Sequence, residues 1–274
     1  MKKLILASAI ASAFAGQVAH AADAAPAATP EHVVTYNMGV TSDYVFRGIS
    51  QSRNTPAVSG GVDYGHSPTG LYAGAWASTI SWVNDADLGT TSSTRSNTPF
   101  ELDLYGGVKG DVGGGFTYDV GGIYYYFANH KLNKSPTSLP DANTFEVYGK
   151  VGYGPAYFKV NYALGSTIAV TDKAGSYYLD LGADYPVADG LLLNLHYGHW
   201  SFANSTTTSY TDSNYNYSDW KIGLTKDFGS GLSGAVAATG TNAKNLYDSS
   251  YWWNFNSTGY LGGNKVIASL IKTF

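Results

Sequence analysis

The sequence contains no cysteine, little charge and no apolar run long enough to cross a bilayer as a helix. Each absence removes a class of protein. Without cysteine there is no disulfide framework, no thiolate nucleophile and no cysteine-based metal centre. Charged residues make up 13%, about half of the roughly 25% found in ordinary soluble domains. The formal charge of −4 is spread over scattered lysines and acids, so there is no basic footprint for nucleic acid. A P-loop, a dinucleotide fingerprint and zinc-ligand spacing are also missing. No cofactor and no metal are expected.

What is present begins with an address. Met1-Lys2-Lys3, an apolar run over Leu4–Ala15 and Ala19-His20-Ala21 have the charged, apolar and small-residue regions of a secretory signal. The apolar run falls well short of the roughly 20 residues of a spanning anchor. Residues 1–21 are therefore read as a signal peptide, 22–33 as an Ala/Pro-rich periplasmic linker and 34–274 as one domain.

That domain is rich in Gly (33) and Tyr (23) and alternates with period two, the period of a strand with two different faces. Twelve strands are expected: Val34 to about Gly48, Ala57–Gly65, Leu71–Ser81, Phe100–Lys109, Phe116–Phe127, Thr144–Gly152, Ala156–Leu164, Tyr177–Tyr185, Leu191–Trp200, Ser218–Asp227, Leu232–Thr239 and Lys265–Phe274. Connections after even strands are short and rich in Gly or Pro; those after odd strands are mostly long and polar. Segregated loops and an even strand number are the pattern of an all-β, closed antiparallel transmembrane β-barrel of about 12 strands. A soluble sandwich has no reason to sort its loops in this way. The last strand runs to the terminal Phe274 and needs a partner, which the first strand supplies.

In such a barrel the apolar phase faces lipid and the polar phase lines the lumen. Asp43, Arg47, Asp63, Glu101, Asp103, Lys109, Asp119, Glu146, Lys150, Lys159, Asp180, Asp184, Asp219 and Lys221 all take the polar phase and are the expected pore lining. Lys226 and Lys272 take the other phase near strand ends, where a long side chain can snorkel. Aromatics on the apolar phase gather near strand ends, as Tyr44, Phe46, Tyr64, Phe100, Phe116, Tyr118, Phe158, Tyr185 and Phe274, which reads as two girdles. The lumen phase also carries Gly39, Gly61, Gly107, Gly121, Gly182, Gly198 and Gly223. Rows of glycine leave room for water, so a narrow pore is expected. The opposing reading is that Tyr105, Tyr125, Tyr148, Tyr157 and Tyr178 partly fill it, or that a loop folds in.

The stretch Thr41-Ser42-Asp43-Tyr44-Val45-Phe46-Arg47-Gly48-Ile49-Ser50-Gln51-Ser52 resembles the N-terminal motif of the TorF-type porin family, proteobacterial barrels of no assigned function. Pro56-Ala57, Gly70–Ser78 and Phe100–Gly107 resemble the same family, so the matching motifs fill about the first third of the domain. The resemblance implies an outer-membrane barrel with a porin role, and no substrate or site residues. Lys272 departs from the aromatic or apolar residue common at that place in terminal strands of such barrels.

The function expected is passive diffusion of small hydrophilic solutes in the outer membrane of a Gram-negative bacterium. Nine lumen acids against five bases suggest a mild cation preference. Expected partners are outer-membrane lipids and lipopolysaccharide, the assembly machinery through the C-terminal strand, and the solutes; a homo-oligomer is open, and nucleic acid is not a partner. The alternative is an adhesin or recognition protein using aromatic loops, above all Tyr247, Tyr251, Trp252, Trp253 and Phe255. An enzyme is not expected: His199 and Ser201 share a face but have no positioned third group. Asp85 and Asp87 could bind a divalent cation, but two loop acids are ordinarily solvated.

Overall fold

The computed structural model describes residues 30–87, 95–134, 139–204, 215–243 and 261–274. In chain order its strands are β1 (His32–Thr41), β2 (Val45–Phe46), β3 (Ile49–Ser50), β4 (Ala57–His66), β5 (Leu71–Thr79), β6 (Phe100–Gly113), β7 (Phe116–Phe127), β8 (Thr144–Tyr153), β9 (Ala156–Ala163), β10 (Tyr177–Ala188), β11 (Leu191–Ser201), β12 (Tyr217–Gly229), β13 (Leu232–Thr241) and β14 (Lys265–Thr273). Twelve of them close into a single antiparallel barrel; β2 and β3 pair only with each other.

Period-two alternation is what makes these segments wall. In β1, Val34, Tyr36, Met38 and Val40 are 50–56% exposed on the outside, while Thr35, Asn37 and Gly39 turn inward. The same alternation runs through β8, where Thr144, Glu146 and Tyr148 are buried and Phe145, Val147 and Gly149 are exposed. A sheet in water hides its apolar phase; this one displays it all round and hides its charges. Among the described residues, no helix is long and apolar enough to cross a membrane, which says nothing about crossing by strands.

Closure runs between β1 and β14, with Asn37 opposite Thr273 and Thr41 opposite Ser269. The seam continues one residue further: the Phe274 N–H donates to the Tyr36 carbonyl at 2.8 Å, and the Tyr36 N–H donates back at 3.3 Å. No sheet edge is left along it. At one rim the strands are joined by tight turns. Gly70 shows why glycine is needed there: its φ is +72°, and a Cβ would overlap the Lys109 carbonyl. Bulges at Asp111/Gly113, Pro186/Ala188 and Asp227/Gly229 sit at this same rim, and the Pro186 bulge explains how a proline ends up inside a strand.

The opposite rim carries the long connections. Among their described residues, Trp82, Leu132, Ile168, Phe202 and Leu261 belong to the main buried hydrophobic cluster, together with inward-facing wall residues such as Ile123, Tyr125 and Trp200. A short helix, α1 (Trp82–Ala86), buries Trp82 edge-on against Phe127 at 5.2 Å, and a 3-10 turn at Leu132–Lys134 buries Leu132.

One expected strand is cut short. The sequence pattern carries the first strand to Gly48, but β1 ends at Thr41, and 42–55 leaves the wall and enters the lumen. Val45 pairs with Ser50 and Phe46 with Ile49, so Arg47-Gly48 is a two-residue hairpin turn. Both residues have positive φ, 44° and 81°, as a type I′ turn requires. An extended wall strand cannot contain that pair.

Candidate functional site

The site is the lumen together with the hairpin that fills its upper half. The hairpin is assembled around Asp43. Its carboxylate accepts from Ser50 Oγ at 2.5 Å, Ser52 Oγ at 3.1 Å and Lys265 Nζ at 3.0 Å. Ser52 Oγ also accepts the Tyr44 N–H, and the Gln51 N–H donates to the Tyr44 carbonyl at 2.6 Å. The hairpin is tied to the neighbouring loop by the Ser81 N–H, which donates to the Gln51 carbonyl at 2.9 Å.

At the tip, the Arg47 guanidinium spans the lumen. It donates two parallel hydrogen bonds to Glu146 on β8, at 2.9 and 2.6 Å. Its central carbon, Cζ, lies over the rings of Trp200 at 4.2 Å, Tyr178 at 4.3 Å and its own neighbour Phe46 at 4.8 Å. Fork-shaped geometry and ring stacking are what arginine provides and lysine does not. Glu146 is completed by Asn161 Nδ2 at 2.9 Å. Gly48 presses against the far wall: a Cβ there would lie 2.6 Å from Asp219 Cβ. Burial raises the Tyr44 phenol well above its ordinary range, and the nearby Glu101 and Asp103 reinforce this. One oxygen of each of those acids finds no hydrogen-bond donor among the described residues. A narrow gap beneath the turn is lined by Arg47, Tyr178, His196, Asp219, Lys221 and Thr239.

The lower lumen is a ladder of tyrosines, acids and cations. Tyr72 OH donates to Asp119 at 2.6 Å and touches the Tyr148 hydroxyl. Lys159 lies over Tyr148 at 4.2 Å and Lys150 over Tyr157 at 4.1 Å. His196 bridges two acids, with Nδ1 2.9 Å from Asp180 and Nε2 3.2 Å from Asp219. Tyr178 donates to Asp219 at 2.7 Å, Tyr105 to Asp63 at 2.6 Å and Asn194 to Asp184 at 2.7 Å.

A family model described as "Bacterial protein of unknown function (Gcw_chp)" matches residues 24–274. The chain belongs to this family. No curated protein matches it in sequence. Among solved structures, the KdgM porin is similar with a TM-score of 0.49 and 6% identity, over 88% of this chain and 98% of that one. The Acinetobacter baumannii OccAB3 structure gives 0.42 and 11%, over 90% and 65%. The P. putida toluene transporter TodX gives 0.41 and 9%, over 90% of each chain. At such identities the likeness concerns barrel architecture alone.

In this Gcw_chp chain the charged residues expected on the polar phase are all placed on the inside. Asp43, Arg47, Glu101, Asp103, Asp119, Glu146, Asp180 and Asp219 are buried, while Asp63, Lys109, Lys150, Lys159, Asp184 and Lys221 are half-buried. Arg47 and Glu146, read separately from the sequence, are brought into one bidentate pair. Asp43 and Arg47 do not line the wall; they ride on the hairpin.

Of the aromatic set, Tyr64, Phe100, Phe116, Phe158, Tyr185 and Phe274 are exposed on the outer face, and Tyr118 is half-buried. Tyr44 and Phe46 correct the expectation. Both are 5% exposed, because the hairpin carries them inward, to edge contacts with Trp76 at 5.4 Å and Tyr125 at 5.5 Å. The glycine rows need correcting too. Gly107, Gly121, Gly182 and Gly198 are seats for tyrosine side chains rather than water-filled space, whereas Gly39, Gly61 and Gly223 meet other neighbours: a Cβ on Gly182 would lie 2.5 Å from the Tyr157 ring, and one on Gly121 2.5 Å from the Tyr148 hydroxyl. Each of these tyrosines faces its glycine directly across the strand pair, a cross-strand signal that appears only once the register is known.

The remaining candidates separate. His199 Nδ1 is paired with Ser218 Oγ at 2.9 Å. Asp85 forms an ion pair with Arg53, and Asp87 accepts from the Ser96 N–H, so the two acids serve different partners. The aromatic loop 247–255, the signal segment 1–21 and most of the linker lie outside the described residues.

Proposed function

We propose that the protein is an outer-membrane channel for small hydrophilic solutes, narrowed by the 42–55 hairpin and mildly cation-preferring. The carrying observation is the inverted barrel: apolar side chains such as Val34, Tyr36, Leu181 and Val236 are at least half exposed outside, and the charges are inside. Left in water, that outer face would be a very large unshielded apolar surface; surrounded by lipid it is satisfied. Export by the N-terminal signal, contact with outer-membrane lipid and lipopolysaccharide, and insertion through the C-terminal strand belong to the same reading. So do the TorF-type relationship, a non-catalytic role and an assembly of several copies.

The cation preference rests on nine inward acids against five inward bases, read from strand phase. Ions meeting a ring of one sign are selected by it. Planar-bilayer recordings with asymmetric salt test both parts. Conductance with a cation-side reversal potential is expected. Silence, both in the native protein and after the hairpin is loosened, removes the channel; an anion-side potential removes the charge reading.

A further inference from the structure

We infer that Glu31, His32 and His66 form a binding site for a divalent first-row transition ion, zinc or copper, on the outside of the barrel at its short-turn rim. Among the described residues this is the group of His and acid side chains whose ligand atoms converge, all within 4.8 Å of one another. It lies apart from the lumen and plays no part in the channel reading.

The backbone brings the three together. His32 opens β1 and His66 closes β4, and they stand directly opposite each other across the antiparallel pair. Residues in that relation share a face and approach closely; their rings are 5.1 Å apart. Glu31 precedes β1 and is anchored over the β4–β5 turn, where the Ser67 N–H donates to its carbonyl at 2.9 Å and Ser67 Oγ donates to the Pro30 carbonyl at 2.8 Å. The backbone of Glu31 is thereby fixed beside the imidazoles, and its carboxylate reaches His66 Nε2 at 3.1 Å.

The ligand atoms fit a metal. Glu31 Oε1 is 3.1 Å from His66 Nε2 and 3.9 Å from His32 Nε2. Ligands at the usual metal–nitrogen and metal–oxygen distances of a tetrahedral zinc site stand about 3.3 Å apart; the two spacings to the carboxylate fall on either side of that value, and all three ligand atoms lie within 4.8 Å of one another. In both rings the far nitrogen, Nδ1, is occupied by a hydroxyl: Tyr64 OH at 2.8 Å for His32 and Thr69 Oγ1 at 2.7 Å for His66. A ligating histidine characteristically has its second nitrogen held in this way, which fixes ring orientation and tautomer. With Nδ1–H donating to the hydroxyl, the Nε2 lone pair is free for the ion. Two imidazoles and one carboxylate favour zinc, copper or nickel over magnesium and calcium. Three protein ligands leave the remaining positions to water.

The test uses the full chain without an affinity tag, folded in detergent micelles, titrated calorimetrically with zinc chloride and, separately, copper chloride. One ion per chain is expected, with affinity falling more than tenfold in His32→Ala and in His66→Ala, and less in Glu31→Gln. The Cu2+ electron paramagnetic resonance signal should show coupling to two nitrogens in the native protein and to one in each histidine variant. The three residues are at an exposed rim, so circular dichroism should show an unchanged barrel. Failure of the native chain to bind either ion, equal binding by the variants, or calcium binding as tightly as zinc would each overturn the site.

Discussion

The Arg47–Glu146 clamp decides how firmly the hairpin is seated. Both side chains are almost completely buried, and the contact is bidentate. Removing one partner of a buried pair leaves an uncompensated charge and costs about 3–5 kcal/mol, whereas replacing both with apolar groups is often nearly neutral. The two single changes are not equivalent here. In Glu146→Leu, Arg47 loses its acceptor and keeps only ring faces. In Arg47→Leu, Glu146 still accepts from Asn161 at 2.9 Å. The expected order of loosening is Glu146→Leu first, Arg47→Leu second and the double variant last. At about 1.4 kcal/mol per factor of ten, the first change should raise the unseated population of the hairpin by roughly 100-fold to several thousandfold. Hydrogen exchange reads this directly, because protection of an amide tracks the free energy of the local opening that exposes it. The Gln51 N–H, which donates to the Tyr44 carbonyl inside the hairpin, should exchange faster by that factor in Glu146→Leu, while β8 amides keep their protection. Native-like exchange in Glu146→Leu, or a double variant as loose as the sum of the singles, would refute the clamp.

Three further outcomes follow from other parts of the barrel. Gly182→Val should drive Tyr157 from its seat and cost about 1–3 kcal/mol as overpacking, lowering the thermal midpoint; adding Tyr157→Ala should recover part of it, and no recovery would mean that the glycine is not a seat. Deleting Phe274 removes the last two hydrogen bonds of the closing seam and should lower outer-membrane yield before it alters any conductance; normal yield argues against that role. In the β7–β8 loop the hydrogen bond from His130 holds the Asp141 carboxyl below its ordinary range, against the opposing effect of burial. A depressed carboxyl stabilises above its unfolded value of about 3.9 and loses that contribution as pH falls through the folded value. The Asn143 N–H, which donates to Asp141 at 2.8 Å, should therefore stay protected at pH 5 and lose protection below about pH 4; undiminished protection at pH 2 refutes the link.

Much of the wall was legible because a barrel strand is decided residue by residue. One face meets an apolar exterior, the other a polar lumen, and the turns fall where glycines collect. The hairpin was not legible by that logic. Val34, Tyr36, Met38, Val40, Tyr44 and Phe46 keep the same parity, so alternation runs on past the point where the chain leaves the wall. The contrary signals are local: Arg47-Gly48 is a type I′ turn pair only if both residues take positive φ, and Asp43, Ser50 and Ser52 close a polar network only after the chain has doubled back. Alternation cannot distinguish a side chain facing lipid from one facing a core built inside a lumen, since both environments are apolar. The metal-ligand trio was illegible for another reason, since Glu31 and His66 are far apart in sequence and meet only through the β1–β4 register.

The hairpin also changes what the lumen charges imply. While it is seated, Glu146 is matched by Arg47, and Tyr44 lies close to Glu101 and Asp103. Asp103 stands directly opposite Tyr125, whose hydroxyl donates to Glu146 at 3.4 Å. Withdrawal of the hairpin takes Arg47 away and leaves three carboxylates facing water around one part of the bore. On the channel reading, the protein with its hairpin unseated should then be more cation-selective than with it seated, and a surplus of acids counted over the whole lumen understates the contrast. Arg47→Leu is the informative background, because it loosens the hairpin and keeps all three acids. Its high-conductance level should show a reversal potential further to the cation side than the native low level. The difference should shrink in concentrated salt, as screening length falls from about 10 Å at 0.1 M to about 3 Å at 1 M. Adding Glu101→Gln and Asp103→Asn should erase most of the gain. Equal selectivity of the two levels, or a gain that survives loss of both acids, would mean that the acids behind Tyr44 do not govern ion passage.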